Sequence, residues 1–363
     1  MKREPLETFW RILRFLGSFR GFLVLCALAL LVGLGLEWAN RPVVAQLRAE
    51  AHRISGSPTA LSPADKAYLR QLVGEARVVG LGEGSHGTKE IFEYKAAIIR
   101  FLVEEMGFSV LGMESLDDPA ANRIIQAGLP NAGEVAAWNV FPVTREFARL
   151  LDWMAHYRQR HPERPLDLFG FDAPIDNLNP SNDDGTRDRL MAESILAALE
   201  KEYPGRKAVL WAHNLHVAFP ERLRNWVYVL PQPPMGWYLR QRYGRGYFVL
   251  ASTFYSGSVL AIWPQLPGVG QERVTMPVFP TLPGTADSAF HRAFGGDFLL
   301  DLRAVRLDSS LGRWLGRPQF IKAIGSAYFL FPLVGSSPAT LPAYFDALLF
   351  IDKTTAAEPL DRR

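Results

Sequence analysis

One short stretch constrains this chain more than any other: residues 78–88, VVGLGEGSHGT. An apolar run enters a glycine-rich turn carrying an acid, Glu83, and an imidazole, His86, three residues apart. Thr88 can then cap a helix that opens at Lys89. Strand, tight polar turn and helix is how open α/β sheets present reactive groups, because ligands sit outside the carboxyl ends of the strands. Glycines at 82, 84 and 87 permit positive φ and close approach of other backbone. Taken alone, the stretch is equally compatible with a glycine-rich connection whose polar residues only hydrogen-bond their own loop.

The rest of the chain repeats the alternation. Apolar runs at 77–81, 108–113, 166–171, 208–212 and 247–254 read as strands, with more at 298–302 and 347–351. Between them lie helical patterns at 62–74, 88–106, 144–160, 187–203 and 235–243. The first begins Ser62-Pro63-Ala64-Asp65, a capping box with proline in its first turn. Another helix starts at Asp118-Pro119, 177–185 is a polar loop, and 314–320 reads as a loop. The Pro- and Gly-rich residues 264–283 suggest a small hairpin over the site. Such alternation predicts an α/β fold: a mostly parallel central sheet, helices on both faces, and the active site at the carboxyl ends of the strands.

Residues 22–36 carry no charge, with Arg20 before them and Glu37 after. With their flanks they approach the ~17 residues needed to span a bilayer, and the charge order places Met1 in the cytoplasm. A cleaved secretory signal is the rival reading, yet no small-x-small site follows Leu36. A buried core helix is the third, but residues 26–31 have no polar face. The first twenty residues hold five basic and two acidic side chains, which accounts for the whole net charge of +3. The body is therefore formally neutral, and no basic patch interleaved with aromatics points to nucleic acid. Cys26 is the single cysteine, so no intrachain disulfide or cysteine-based metal site can form. The expected organisation is a basic cytoplasmic segment (1–20), a transmembrane anchor or signal (21–39), a linker (40–61), one α/β domain (62–355) and a tail (356–363). That makes a single-pass protein with its catalytic domain outside the cytoplasm, or a secreted or periplasmic one after signal cleavage.

Polar residues mark the expected carboxyl ends of successive strands: Glu83 with His86, Glu114, Asp172, and His213 with His216. Each alone is an ordinary loop residue, but a parallel sheet gathers them at one crevice. His52, His156, His161 and His291 fall in helices or polar loops and read as incidental. A carboxylate that accepts an imidazole N–H fixes the tautomer and raises basicity at the other nitrogen, which can then deprotonate water for attack on a carbonyl. A second imidazole or a loop N–H can stabilise the oxyanion. The same set, Glu83, Glu114, His213 and His216, is also compatible with a divalent metal such as zinc or manganese. Ser85 lacks the glycine two residues before it that a nucleophile elbow uses, and no Lys-Ser/Thr follows to make a phosphate loop.

At these residues the chain resembles the erythromycin esterase family. The matching motifs are Gly82-Glu83-Gly84-Ser85-His86-Gly87, Gly107-Phe108 leading to Met113-Glu114, Gly170-Phe171-Asp172, and Arg187-Asp188 with Met191-Ala192-Glu193. They continue through Trp211-Ala212-His213-Asn214-Leu215-His216, Gly236 with Leu239, Tyr243-Gly244, Asp301-Leu302-Arg303 and Tyr344-Phe345-Asp346-Ala347-Leu348. The resemblance implies hydrolysis of a carboxylic ester or lactone by a His-activated water without a cofactor. His86 matches the base, and Glu83, Glu114, His213 and His216 match the surrounding catalytic site. Lys95, Asp172 and Asn214 are expected to touch a small-molecule ester substrate. Two departures argue against a macrolide. Lys95 stands where macrolide-opening members have an arginine, and the segment between Asp172 and Arg187 is shorter than theirs. A metal-dependent hydrolase remains the alternative enzyme, and a haem, iron or small-molecule binding module the alternative class.

Overall fold

The computed structural model describes residues 38–115, 117, 119–127, 144–172, 184–222, 233–262, 273–326, 328 and 335–360, with isolated positions between 24 and 35. Its strands are β1 (His52–Arg53), β2 (Val78–Glu83), β3 (Phe108–Met113), β4 (Asp167–Gly170), β5 (Lys207–His213), β6 (Tyr247–Ile262), β7 (Arg273–Val278), β8 (Phe298–Asp301), β9 (Gln319–Lys322), β10 (Ser336–Ala339) and β11 (Ala347–Thr354). The helices are α1 (Arg41–Glu50), α2 (Pro63–Val73), α3 (Lys89–Met106), α4 (Pro119–Ala127), α5 (Arg145–Arg160), α6 (Asp184–Ala197), α7 (Asn214–Val217), α8 (Met235–Tyr243), α9 (Ala286–Phe294), α10 (Ser310–Leu315) and α11 (Leu341–Tyr344).

Nine strands form one sheet in the order β1-β8-β11-β6-β2-β5-β3-β4, with β7 folded back on the far half of β6. The run from β11 to β4 is parallel, and β1, β7 and β8 join antiparallel. Alternate residues of β5 show why both faces are covered. Val209 and Trp211 enter a core with Phe92, Ile99, Phe147 and Leu151, while Ala208, Leu210 and Ala212 enter a second with Met191, Ile195, Val217 and Leu239. A strand apolar on both sides can be stable only between two helical layers. The carboxyl ends of β2, β5 and β3 therefore emerge side by side at the middle of one sheet edge.

Several expectations change. The residues read as a linker are built into the body: α1 buries Val43, Val44 and Leu47, and His52–Arg53 pairs with β8 as an edge strand. Three apolar residues on one face of a polar helix are enough to dock it. The tail is likewise part of the body. Ala357 N–H donates to the Gly87 carbonyl at 2.9 Å, Arg145 N–H donates to the Glu358 carbonyl at 2.9 Å, and Leu360 is buried. Residues 314–320 are the end of α10 and the start of β9, which pairs with β10 in a small separate sheet. The helix expected over 187–203 starts at Asp184 and finishes in a π-helical turn, Ala198–Glu202. Of the stretch expected to form its own hairpin, 264–283, residues 273–278 instead pair as β7 with the end of β6, and 263–272 lie outside the described residues. So do residues 1–20, most of 21–39, Asp118, and 173–183 in the polar loop. Among the described residues, no helix is long and apolar enough to cross a membrane.

Candidate active site

β2 and β5 pair in parallel with Glu83 directly opposite His213. On the other side of β5, the first residue after β3 is Glu114, whose N–H donates to the Trp211 carbonyl at 2.9 Å. The turn after β2 is clamped by its neighbours. Gly84 N–H donates to Ser252 Oγ at 3.3 Å, and the Gly84 carbonyl accepts from Ile324 N–H at 2.7 Å. The Gly87 carbonyl accepts from Leu260 N–H at 2.8 Å, and a Cβ on Gly87 would strike the Leu260 carbonyl oxygen. Close approach, not positive φ, is what residues 82, 84 and 87 supply. Thr88 occupies the N-cap of α3 without a side-chain capping bond, so the expected cap is absent. Ser85 is fully buried, its Oγ accepting from Gly87 N–H at 3.1 Å, which leaves it no access as a nucleophile.

Three imidazoles follow one another along this edge. His86 Nδ1 lies 2.7 Å from Glu83 Oε1, and the other Glu83 oxygen accepts from Lys95 Nζ at 2.7 Å. The His86 and His213 rings are 5.1 Å apart, and those of His213 and His216 6.5 Å. His213 Nδ1 accepts from Leu215 N–H at 3.3 Å, so a neutral ring carries its proton on Nε2. That buried Nε2 has no hydrogen-bond partner among the described residues. Burial holds the His213 imidazole well below its ordinary value of 6.5, which keeps it neutral.

His216 is its opposite. Nδ1 faces Asp188 Oδ1 at 3.0 Å and Nε2 faces Glu114 Oε1 at 3.2 Å. Burial opposes the cation, but Asp188 and Glu114 outweigh it and raise His216 to about 10. With both ring nitrogens donating, the 3.1 Å approach of Arg187 Nη1 to His216 Nε2 is a contact between two donors that share Glu114, not a hydrogen bond. Burial pushes the Glu114 carboxyl up, yet His216 and Arg187 more than reverse this and hold it well below the usual carboxylate range. Glu114 Oε2 accepts from His213 N–H at 2.7 Å, and Arg187 binds Asp172 through Nε and Nη2, both at 2.8 Å.

The expected catalytic residues are thus gathered, with distinct tasks: His86 and Glu83 form a dyad, His213 is a buried neutral donor, and Glu114 and His216 form a fixed ion pair. The residues expected to touch substrate all have partners within the protein. Lys95 is 2% exposed and lies beneath the dyad. Both oxygens of Asp172 hold Arg187. The Asn214 amide bonds Ser252 through both ends, at 2.7 and 3.1 Å, and pins β6. Arg187 and Asp188 were not anticipated as site residues; adjacent opposite charges at a helix start, just after the Asp172 loop, were the available signal.

The metal-ligand reading does not fit these residues. The Glu83 oxygens are taken by His86 and Lys95, and those of Glu114 by His213 N–H, His216 and Arg187. Among the described residues, no group of three or more His, Cys, Asp or Glu is arranged to hold a metal ion.

A mixed α/β sheet with an imidazole–carboxylate cluster at the carboxyl edge of its parallel strands defines the class. The family model for erythromycin esterase matches residues 175–354, just under half of the chain, and this stretch belongs to the erythromycin esterase family. Erythromycin esterase type I of Escherichia coli is 32% identical over 117 residues, 32% of this chain and 28% of that protein, so the match spans about a quarter of the relative's length. A succinoglycan biosynthesis protein superposes with a TM-score of 0.73 at 19% identity, covering 87% of this chain and 97% of that one. A mutant of the erythromycin esterase EreC in its open conformation gives 0.63 at 17% identity, covering 86% and 99%. The two likenesses establish the fold. The family match includes Arg187, His213 and His216 but begins beyond Glu83, His86 and Glu114.

Proposed function

We propose that the protein is a hydrolase acting on a carboxylic ester or lactone, with His86 as general base for a water molecule. The observation that carries this reading is the 2.7 Å contact between His86 Nδ1 and Glu83 Oε1 beside the neutral ring of His213. With its Nδ1 proton held by Glu83, His86 has its basic lone pair on Nε2. Water deprotonated there attacks the ester carbonyl, the His213 Nε2–H donates to the oxyanion as it forms, and His86 returns the proton to the departing alcohol oxygen as the ester C–O bond breaks. His216 and Glu114 are already committed to each other and hold the backbone of His213 in place. Proton transfer and oxyanion stabilisation then need no metal. The family match over residues 175–354 supports ester hydrolysis as the reaction. Lys95 in place of an arginine and the short segment before Arg187 support a substrate other than a macrolide.

The uncharged residues 22–36, and the exposure of Leu28, Leu31 and Val32 among those described, support attachment to a membrane with the catalytic domain outside the cytoplasm. A panel of short-chain esters and lactones tests the activity. His86→Gln is expected to lower kcat/KM by about 10²- to 10⁴-fold on any ester the protein turns over, the usual worth of a positioned base. Activity is expected to survive chelation. Full activity in His86→Gln overturns the reading.

A further inference from the structure

We infer that Lys95 is a positioning residue whose ammonium group balances the charge of Glu83 and so leaves His86 neutral, in the form that can accept a proton. The inference rests on the reading of His86 as a base, and its grounds are geometric. Lys95 projects from α3 into the protein, with Nζ 2.7 Å from Glu83 Oε2, 3.4 Å from the Ala212 carbonyl and 4.2 Å above the centre of the Trp211 ring. Its amine is already spent on Glu83 and the Ala212 carbonyl. The groups that face it are Glu83 from β2 and the Ala212 carbonyl and Trp211 indole from β5. Glu114 after β3 and His213 at the end of β5 act on it at longer range.

Charge counting gives the consequence. Glu83 touches two basic groups, one on each oxygen, and a buried carboxylate needs a single positive neighbour. Lys95 supplies that charge, so His86 can donate its one ring proton as a neutral imidazole. With the ammonium removed, Glu83 would draw a second proton onto His86, and an imidazolium cannot deprotonate water. The other end of the site shows the count reversed: His216 lies between two carboxylates, Asp188 and Glu114, and is held as a cation. Burial lowers the Lys95 ammonium to about 8, with Glu83 working against that shift, so the charge persists at neutral pH.

The test is an NMR titration of the His86 imidazole in the full chain, beside pH profiles of kcat and KM. In Lys95→Met the His86 midpoint is expected to move to higher pH by about one unit or more. The acid limb of kcat/KM should follow it, giving roughly a tenfold loss on that limb that is recovered at higher pH, with KM unchanged. Lys95→Arg keeps the charge and should titrate like the parent. If Lys95→Met does not fold, Lys95→Gln keeps a hydrogen bond to Glu83 and removes only the charge, and it should show the same upward move. A His86 midpoint unchanged in Lys95→Gln overturns the inference. So does a raised KM with an unmoved midpoint, which would make Lys95 a substrate contact. The titration needs no turnover, so failure to hydrolyse any ester would count against the hydrolase reading alone.

Discussion

At the scale of single residues, the site separates groups that change protonation from groups that hold still. His213 is the sharpest case. Its Nδ1 is occupied by Leu215 N–H and its buried Nε2–H has no acceptor among the described residues, an expensive state unless a ligand supplies one. His213→Phe should therefore fold, lower kcat by about 10²- to 10³-fold as loss of an oxyanion donor does, and leave KM nearly unchanged. A kcat within twofold of the parent would remove the donor role. Asn214, its neighbour in sequence, behaves differently. Both ends of its amide are spent on Ser252 of β6, so Asn214→Ala should cost about 1–3 kcal/mol of stability, measurable by denaturant titration, through the buried groups it strands. These two residues also mark the limit of reading residue types along a chain. A strand ending in His213-Asn214 announces polar groups at the sheet edge, but not which one turns inward to tie strands together. Lys95 shows the same limit: the helical pattern places a lysine on α3 but does not reveal that its amine folds under the loop to meet Glu83.

At the scale of elements, local pattern was informative wherever burial was two-sided. The second strand was read as residues 108–113, which is where β3 lies, and the capping box at Ser62 and Asp65 forms with both reciprocal bonds. β9 and β10 escaped because their segments, QFIK and SSPA, are short, polar and carry a proline, and they pair with each other apart from the main sheet. Nothing local marks α1 as part of the body, since the partners that bury Val43, Val44 and Leu47 come from more than 200 residues away along the chain, in α9 and α10. The turn from β2 to α3 shows how an element is held by parts no local pattern connects: residues 260 and 357 both donate to Gly87. Gly87→Ala would drive a methyl group into the Leu260 carbonyl. It should displace the His86 loop, abolishing activity together with a loss of several °C in Tm, the scale expected for overpacking of about 1–3 kcal/mol. Activity lost with Tm unchanged would mean that Gly87 acts on the chemistry and not on the packing of the loop.

At the scale of the whole molecule, the fixed charges make stability depend on pH in a direction that can be worked out. His216 titrates at about 10 in the folded protein against an ordinary 6.5, so its contribution is complete below 6.5 and is lost as pH rises towards 10. Glu114 is shifted the other way, well below 4.5, so its contribution is complete above 4.5 and is lost as pH falls beneath that value. The two partners therefore stabilise the fold together most strongly between about pH 4.5 and 6.5. Lys95 has the opposite linkage. Its folded value of about 8 lies under the ordinary 10.5, so the unfolded chain binds more protons between them and stability from this residue rises with pH there. A parent profile alone would blend these slopes, and a comparison with Glu114→Gln/His216→Gln singles out the pair, because Lys95 and Glu83, its main partner, are common to both proteins. The stability difference between parent and double variant should be largest at pH 5 to 6 and shrink steadily from pH 7 to 9.5. A difference that stays constant over that range would mean that His216 is not held as a cation between Asp188 and Glu114. The division of the site into one neutral donor, one neutral base and one fixed ion pair would then fail with it.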